Sequence, residues 1–137
     1  MSAPDQTVDL RGARVLVVDD DADSLEVLRE LLTLAGARVT TVTSARAAFD
    51  AIEAGGEVEL IISDIGMPEM DGYDFIRRIR STPASADVPA IALTAYARPS
   101  DAALAMGAGY QEHLSKPVDE RHLLRTVKVW SRVSVRA

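Results

Sequence analysis

The chain has 137 residues, 47% of them hydrophobic and 26% charged, which is enough apolar material for one packed domain and excludes wholesale disorder. A net charge of −6 argues against a nucleic-acid partner, whose phosphates need a clustered basic surface. The absence of cysteine excludes disulfides and thiolate metal sites, and no apolar run reaches the length of a membrane-inserted helix.

The first twelve residues, MSAPDQTVDLRG, read as a flexible polar tail without the apolar centre of a signal peptide. The domain is expected to run from 13 to 133, with 134–137 a C-terminal tail. RVLVV (Arg14–Val18) is a strand. DSLEVLRELLTLAG follows as a helix, with Leu25, Leu28, Leu32 and Ala35 on one face and Gly36 as the stop. RVTTVT is the second strand, and Ser44 caps a helix running to Gly55-Gly56. ELIIS is the third strand, followed by the helix GYDFIRRIR, which ends before Thr82-Pro83. PAIALT is the fourth strand, and Pro99 opens a helix closing near Gly107 to Gly109. YQEHLS is the fifth strand. Asp119 then caps ERHLLRTVKVWSRV, with Leu123, Val127 and Trp130 along one face.

Such strict alternation implies an α/β fold, a parallel sheet covered by helices on both faces. Strands one, three and four are nearly unbroken aliphatics, as strands covered on both faces must be. Strands two and five carry Thr, Gln, Glu and His, which suits edges. The order 2-1-3-4-5 satisfies this and keeps three sequence-consecutive pairs adjacent. That is the doubly wound, flavodoxin-like (βα)5 arrangement. Its ligands bind where strands one and three diverge, outside the strands' carboxyl ends.

At those ends stand Asp19-Asp20-Asp21, Asp64, Thr94 and Ser115-Lys116-Pro117. Neighbouring strands lie about 5 Å apart, so Asp19 or Asp20 should share a pocket with Asp64. Two carboxylates about 4 Å apart repel by about 4 kcal/mol at a surface-like dielectric, so something must offset them. Asp19, Asp20 and Asp64 against Lys116 leave a net charge of −2, which one divalent cation neutralises. Hard oxygen donors without His or Cys suit magnesium, with manganese able to substitute. A carboxylate nucleophile, a cation, a lysine and a hydroxyl together fit phosphoryl chemistry, with Asp64 as the group modified. Taken singly, Asp21 and Asp23 read as helix caps, and Thr94 and Lys116 as ordinary strand-end and surface residues. The joint placement at strand ends is what points to a site.

The stretches VLVVDDD, LIISDIGMPEMDGY, IALTAYA and HLSKPVD resemble the receiver domain of two-component response regulators, of the CheY-like kind and close in style to receivers of hybrid histidine kinases. The resemblance spans Arg14 to about Val133. The separations also match: 44 residues from Asp20 to Asp64, 30 from Asp64 to Thr94 and 22 from Thr94 to Lys116. The resemblance implies a phosphoacceptor that is not an enzyme towards other substrates. Asp64 takes a phosphoryl group from a phosphohistidine on a sensor histidine kinase or a histidine phosphotransfer protein, in the cytoplasm. Asp20 and Asp64 ligate Mg2+ directly, with the backbone carbonyl of Gly66, and Asp19 acts through water. Thr94 and Lys116 engage the phosphoryl group, Pro117 follows a cis peptide, and Ala95 stays small to keep the acyl phosphate accessible. Phosphorylation then shifts the domain between two states, which regulates an unnamed protein target or passes the group along a phosphorelay.

Three positions depart from or vary within the family pattern. His113 stands where a larger aromatic usually couples the fifth strand to the threonine. Gly66 and Tyr96 occupy places that tune hydrolysis, and their identities imply a slow loss of phosphate. Two other readings stay open at this point. A haloacid dehalogenase-like phosphatase uses an Asp-x-Asp that Asp19 and Asp21 can supply, but it needs an acidic pair beyond the lysine, where only Asp119 and Glu120 remain. A binding module could keep the fold without being phosphorylated. Whether the domain stands alone or belongs to a hybrid kinase is likewise open.

Overall fold

A computed structural model of the protein describes residues 8–55, 57–66, 70–95, 104 and 106–135, with side chains described up to 131. Five strands, β1 (Arg14–Val18), β2 (Arg38–Val42), β3 (Leu60–Asp64), β4 (Ala90–Thr94) and β5 (Glu112–Ser115), form one sheet in the order β2-β1-β3-β4-β5. All four pairings are parallel. Strand polarity foretold this order. Every residue of β3 and β4 is buried, whereas β2 has no buried residue and β5 only Leu114.

Helices α1 (Ala22–Leu34), α2 (Ala45–Glu53) and α3 (Gly72–Ser81), together with a C-terminal helix (Glu120–Val135), cover the sheet. Two apolar clusters mark its faces. Leu25, Leu28 and Leu32 of α1 meet Leu123 and Val127 over Val15, Val17, Ile91 and Leu93. On the other face Ala48 and Ile52 of α2 and Phe75, Ile76 and Ile79 of α3 pack on Leu16, Val18, Ile61 and Ala92. Alternate residues of β1 and β4 thus serve opposite cores, as the period of two along a strand requires.

The starts of three helices are fixed by side chains. Asp21 accepts from Asp23 N, Ser44 from Ala47 N, and Asp71 from Tyr73 N and Asp74 N, each satisfying an amide that has no intrahelical partner. Of the predicted helix from Pro99, Leu104 and Met106–Ala108 are helical, and the rest lies outside the described residues. Several strand boundaries shift by one or two residues: the third strand, for one, runs Leu60–Asp64 and so includes the aspartate. The fifth strand begins at Glu112, so Tyr110 and Gln111 precede it.

The segment before β1 also contacts the domain. Leu10 is 2% exposed within the α1-side core, and its amide donates to Ala35 O at 2.7 Å. Lys128 Nζ donates to Asp9 O at 2.6 Å. Leu10 and, in part, Val8 thus pack against the domain.

Candidate functional site

The carboxyl ends of β1, β3, β4 and β5 converge on one edge of the sheet, because parallel pairing in register brings their last residues level. Val18 pairs with Ser63, Asp64 with Leu93, and Thr94 with Ser115. The residue that follows β1, Asp19, therefore arrives beside Asp64, and the residue that follows β5, Lys116, arrives above both.

Carboxylate oxygens of Asp19, Asp20 and Asp64 all lie within 4.8 Å of one another. Asp19 is wholly buried, Asp64 is 9% exposed and Asp20 faces solvent. Lys116 Nζ donates to Asp19 Oδ2 at 2.9 Å and stands 3.7 Å from Asp64 Oδ2. Asp21 N donates to Asp19 Oδ1, and Gly66 N to Asp64 Oδ1 at 3.2 Å, so each buried carboxylate also has a backbone donor. Lys116 N in turn donates to Thr94 O at 2.8 Å, tying the two strand ends together.

The electrostatics follow from this crowding. Burial, and next the negative charge of Asp19, push the Asp64 carboxyl above the ordinary carboxylate range, against the pull of Lys116 and Gly66 N–H. Burial opposes the charge on Lys116. The hydrogen bond and charge of Asp19, with the charge of Asp64, outweigh it and hold the ammonium above its usual range. An under-neutralised set of hard oxygen donors, one already resisting ionisation, is what a divalent cation fits.

The other predicted residues fall as follows. Thr94 ends β4 and is 5% exposed. Ala95 is exposed next to it, and Tyr96 lies outside the described residues. Gly66 has no atom of the described residues within 4 Å of where a Cβ would stand. The Lys116–Pro117 peptide is cis. His113 pairs with Ala92 on the α2–α3 face of the sheet, and its Nε2 is buried without a hydrogen-bond partner among the described residues.

Asp21 does not join the cluster, since its carboxylate caps α1 and accepts from Ser24 Oγ at 2.8 Å. Asp119 accepts from His122 N at the start of the C-terminal helix. Two of the four acids a dehalogenase-like phosphatase would draw on here, Asp21 and Asp119, are thus engaged as helix caps. Sequence reasoning missed a group beneath the site: Ser63 Oγ donates to Asp64 O at 3.0 Å, and Tyr110 Oη donates to Gly72 O at 2.8 Å.

The response regulator receiver domain model matches residues 15–128. An uncharacterized 14.6 kDa protein in the sodA1 3' region of Leptolyngbya boryana is 45% identical over 114 residues, covering 83% of this chain and 86% of its own. The sensor histidine kinase GacS of Pseudomonas protegens is 34% identical over 98% of this chain, which spans only 15% of that kinase. Among solved structures, the receiver domain of the sensor histidine kinase PA1611 from Pseudomonas aeruginosa, with magnesium coordinated in its active-site cleft, superposes with a TM-score of 0.80. It is 32% identical, covering 88% of this chain and 98% of that domain. A putative response regulator from Chloroflexus aurantiacus gives a TM-score of 0.82 at 30% identity, over 87% of this chain and 97% of its own.

The chain belongs to the response regulator receiver domain family of two-component signal transduction. That family is a regulatory signalling domain. Among the described residues, no helix is long and apolar enough to cross a membrane.

Proposed function

We propose that Asp64 is the phosphoacceptor of this receiver, taking its phosphoryl group from a phosphohistidine of a sensor histidine kinase or a histidine phosphotransfer protein in the cytoplasm. The observation that carries this is the meeting of Asp19, Asp20, Asp64 and Lys116 around one small space. In the step itself, an Asp64 carboxylate oxygen attacks phosphorus. The P–N bond breaks, its electron pair returns to the imidazole nitrogen, and an acyl phosphate remains on Asp64.

Asp20 and Asp64, with the carbonyl of Gly66, would hold Mg2+ directly and Asp19 through water; Mn2+ suits the same oxygen donors. Bound there, the ion supplies charge neutralisation for the transferred oxygens. Lys116, already 3.7 Å from Asp64, supplies a further positive charge to the phosphoryl oxygens. The Thr94 hydroxyl, at the adjacent strand end, donates to one of them. The exposed Ala95 leaves the approach open.

Beside Lys116 opens a groove of about 490 Å³ whose lining joins Val27, Leu28, Leu31 and Val118 to Asp21 and Asp23. This mixed apolar and acidic surface beside Lys116 supports a protein donor. Gly66 and Tyr96 would make loss of the phosphoryl group slow, since glycine has no side chain to orient a water. His113 would read the modification on β5 and convey it to a protein target, or the group would pass onward in a phosphorelay.

Peptide mapping after exposure to a phosphodonor tests the assignment. Label on the peptide containing Asp64 is expected; label on Asp19 or Asp21 would favour the phosphatase reading.

A further inference from the structure

We propose that Tyr110 is a positioning residue of the phosphoacceptor site, its buried hydroxyl setting where the loop from Asp64 to Gly66 lies. This rests on reading Asp64 as phosphoacceptor and Asp19, Asp20 and Asp64 as the Mg2+ site.

Tyr110 is 2% exposed, in the segment just before β5, and its hydroxyl reaches across the fold to Gly72 O at 2.8 Å. Gly72 opens α3, and its own amide donates to Ile65 O at 2.7 Å. The Ser63 hydroxyl donates to Asp64 O at 3.0 Å. The carbonyls of residues 64, 65 and 72 are therefore each held by a hydrogen bond, two of them through Gly72, and Gly66 follows directly. Little slack remains in this packing. A Cβ on Gly72 would stand 2.6 Å from Ile65 Cα, 3.0 Å from Asp64 O and 3.1 Å from Tyr110 Oη.

Tyr110 is itself held from both sides. Arg80 donates through Nε and Nη2 to Gly109 O at 3.1 and 2.9 Å, and through Nη2 to Gln111 Oε1 at 2.9 Å. Gln111 Oε1 also accepts from Ala90 N. Burial pushes the phenol well above its usual range, so it stays protonated and remains a donor at any working pH. A ring that only filled space would be served equally by phenylalanine, without the cost of burying a hydroxyl. Groups that orient the donors of a metal site tune its affinity without touching the ion.

The full chain carrying Tyr110→Phe, which keeps the ring, gives the test. Mg2+ binding is measured by calorimetry without a phosphodonor, and phosphorylation by phosphoramidate is followed across Mg2+ concentrations. Both Mg2+ constants should weaken by about fivefold, the worth of one buried hydrogen bond. Ser63→Ala, which removes the second hydroxyl, should shift them in the same direction. Val127→Ala, a core truncation on the opposite face of the sheet, controls for lost stability and should leave Mg2+ affinity unchanged. Wild-type Mg2+ constants in Tyr110→Phe, or a loss no larger than in Val127→Ala, would overturn the positioning role alone. Failure of the wild type to bind Mg2+ or to gain phosphate would overturn the site reading and this inference together.

Discussion

Lys116 Nζ lies 2.9 Å from Asp19 Oδ2, which places a cation against a carboxylate with no exposed surface. Truncating one partner of such a pair strands the other. Lys116→Met should destabilise the domain by about 1–3 kcal/mol in urea titration, since Asp19 keeps only backbone donation from Asp21. The same variant should lose most phosphoryl transfer from a small donor. Unchanged stability would show that the pair contributes little.

Asp64 yields a pH-dependent prediction. Its carboxyl is raised in the folded protein, chiefly by burial and then by Asp19. The folded state therefore favours the protonated form, and this contribution is full below the unfolded carboxyl pKa of about 4. It is lost as pH rises through the folded value, so at pH 7 the ionised Asp64 burdens the fold. Asp64→Asn should raise Tm at pH 7 in the absence of divalent ions, and the advantage should fade towards pH 3. Added Mg2+ should raise the wild-type Tm and do less for the variant. Scanning calorimetry at both pH values checks each point.

His113 carries a buried Nε2 without a partner among the described residues. Leaving a buried polar atom unpaired costs about 1–3 kcal/mol, and an apolar residue of similar size removes that cost. His113→Leu should therefore stabilise the unphosphorylated domain, by about 1 kcal/mol in urea titration. Destabilisation would mean that the imidazole is better accommodated than its surroundings indicate.

Leu10 tests where the domain starts. Its side chain is in the core, so Leu10→Ala should cost about 2–5 kcal/mol by chemical denaturation, as for other buried leucines. A change below about 0.5 kcal/mol would return these residues to the tail.

Why the sequence exposed some of this and hid the rest follows from the reach of each signal. The sheet order was legible because Thr40 and Thr41 mark β2 as an edge, while the aliphatic runs of β3 and β4 require cover on both faces. The cluster of Asp19, Asp20, Asp64 and Lys116 was legible because each sits at a strand's carboxyl end, where topology alone brings them together. Leu10 was not, since one leucine among Asp, Arg and Gly carries no periodicity. Nor was the bond from Tyr110 to Gly72, which links positions 38 residues apart through the packing of α3 on the approach to β5. Tyr110 read instead as the first residue of a strand that begins two residues later.

The central claim is that Asp64 accepts the phosphoryl group. Intact-mass measurement after incubation with Mg2+ and a small acyl-phosphate donor tests it most directly. The wild type should gain a single phosphoryl group, and Asp64→Asn should gain none. An unmodified wild type, or equal modification of Asp64→Asn, would contradict it.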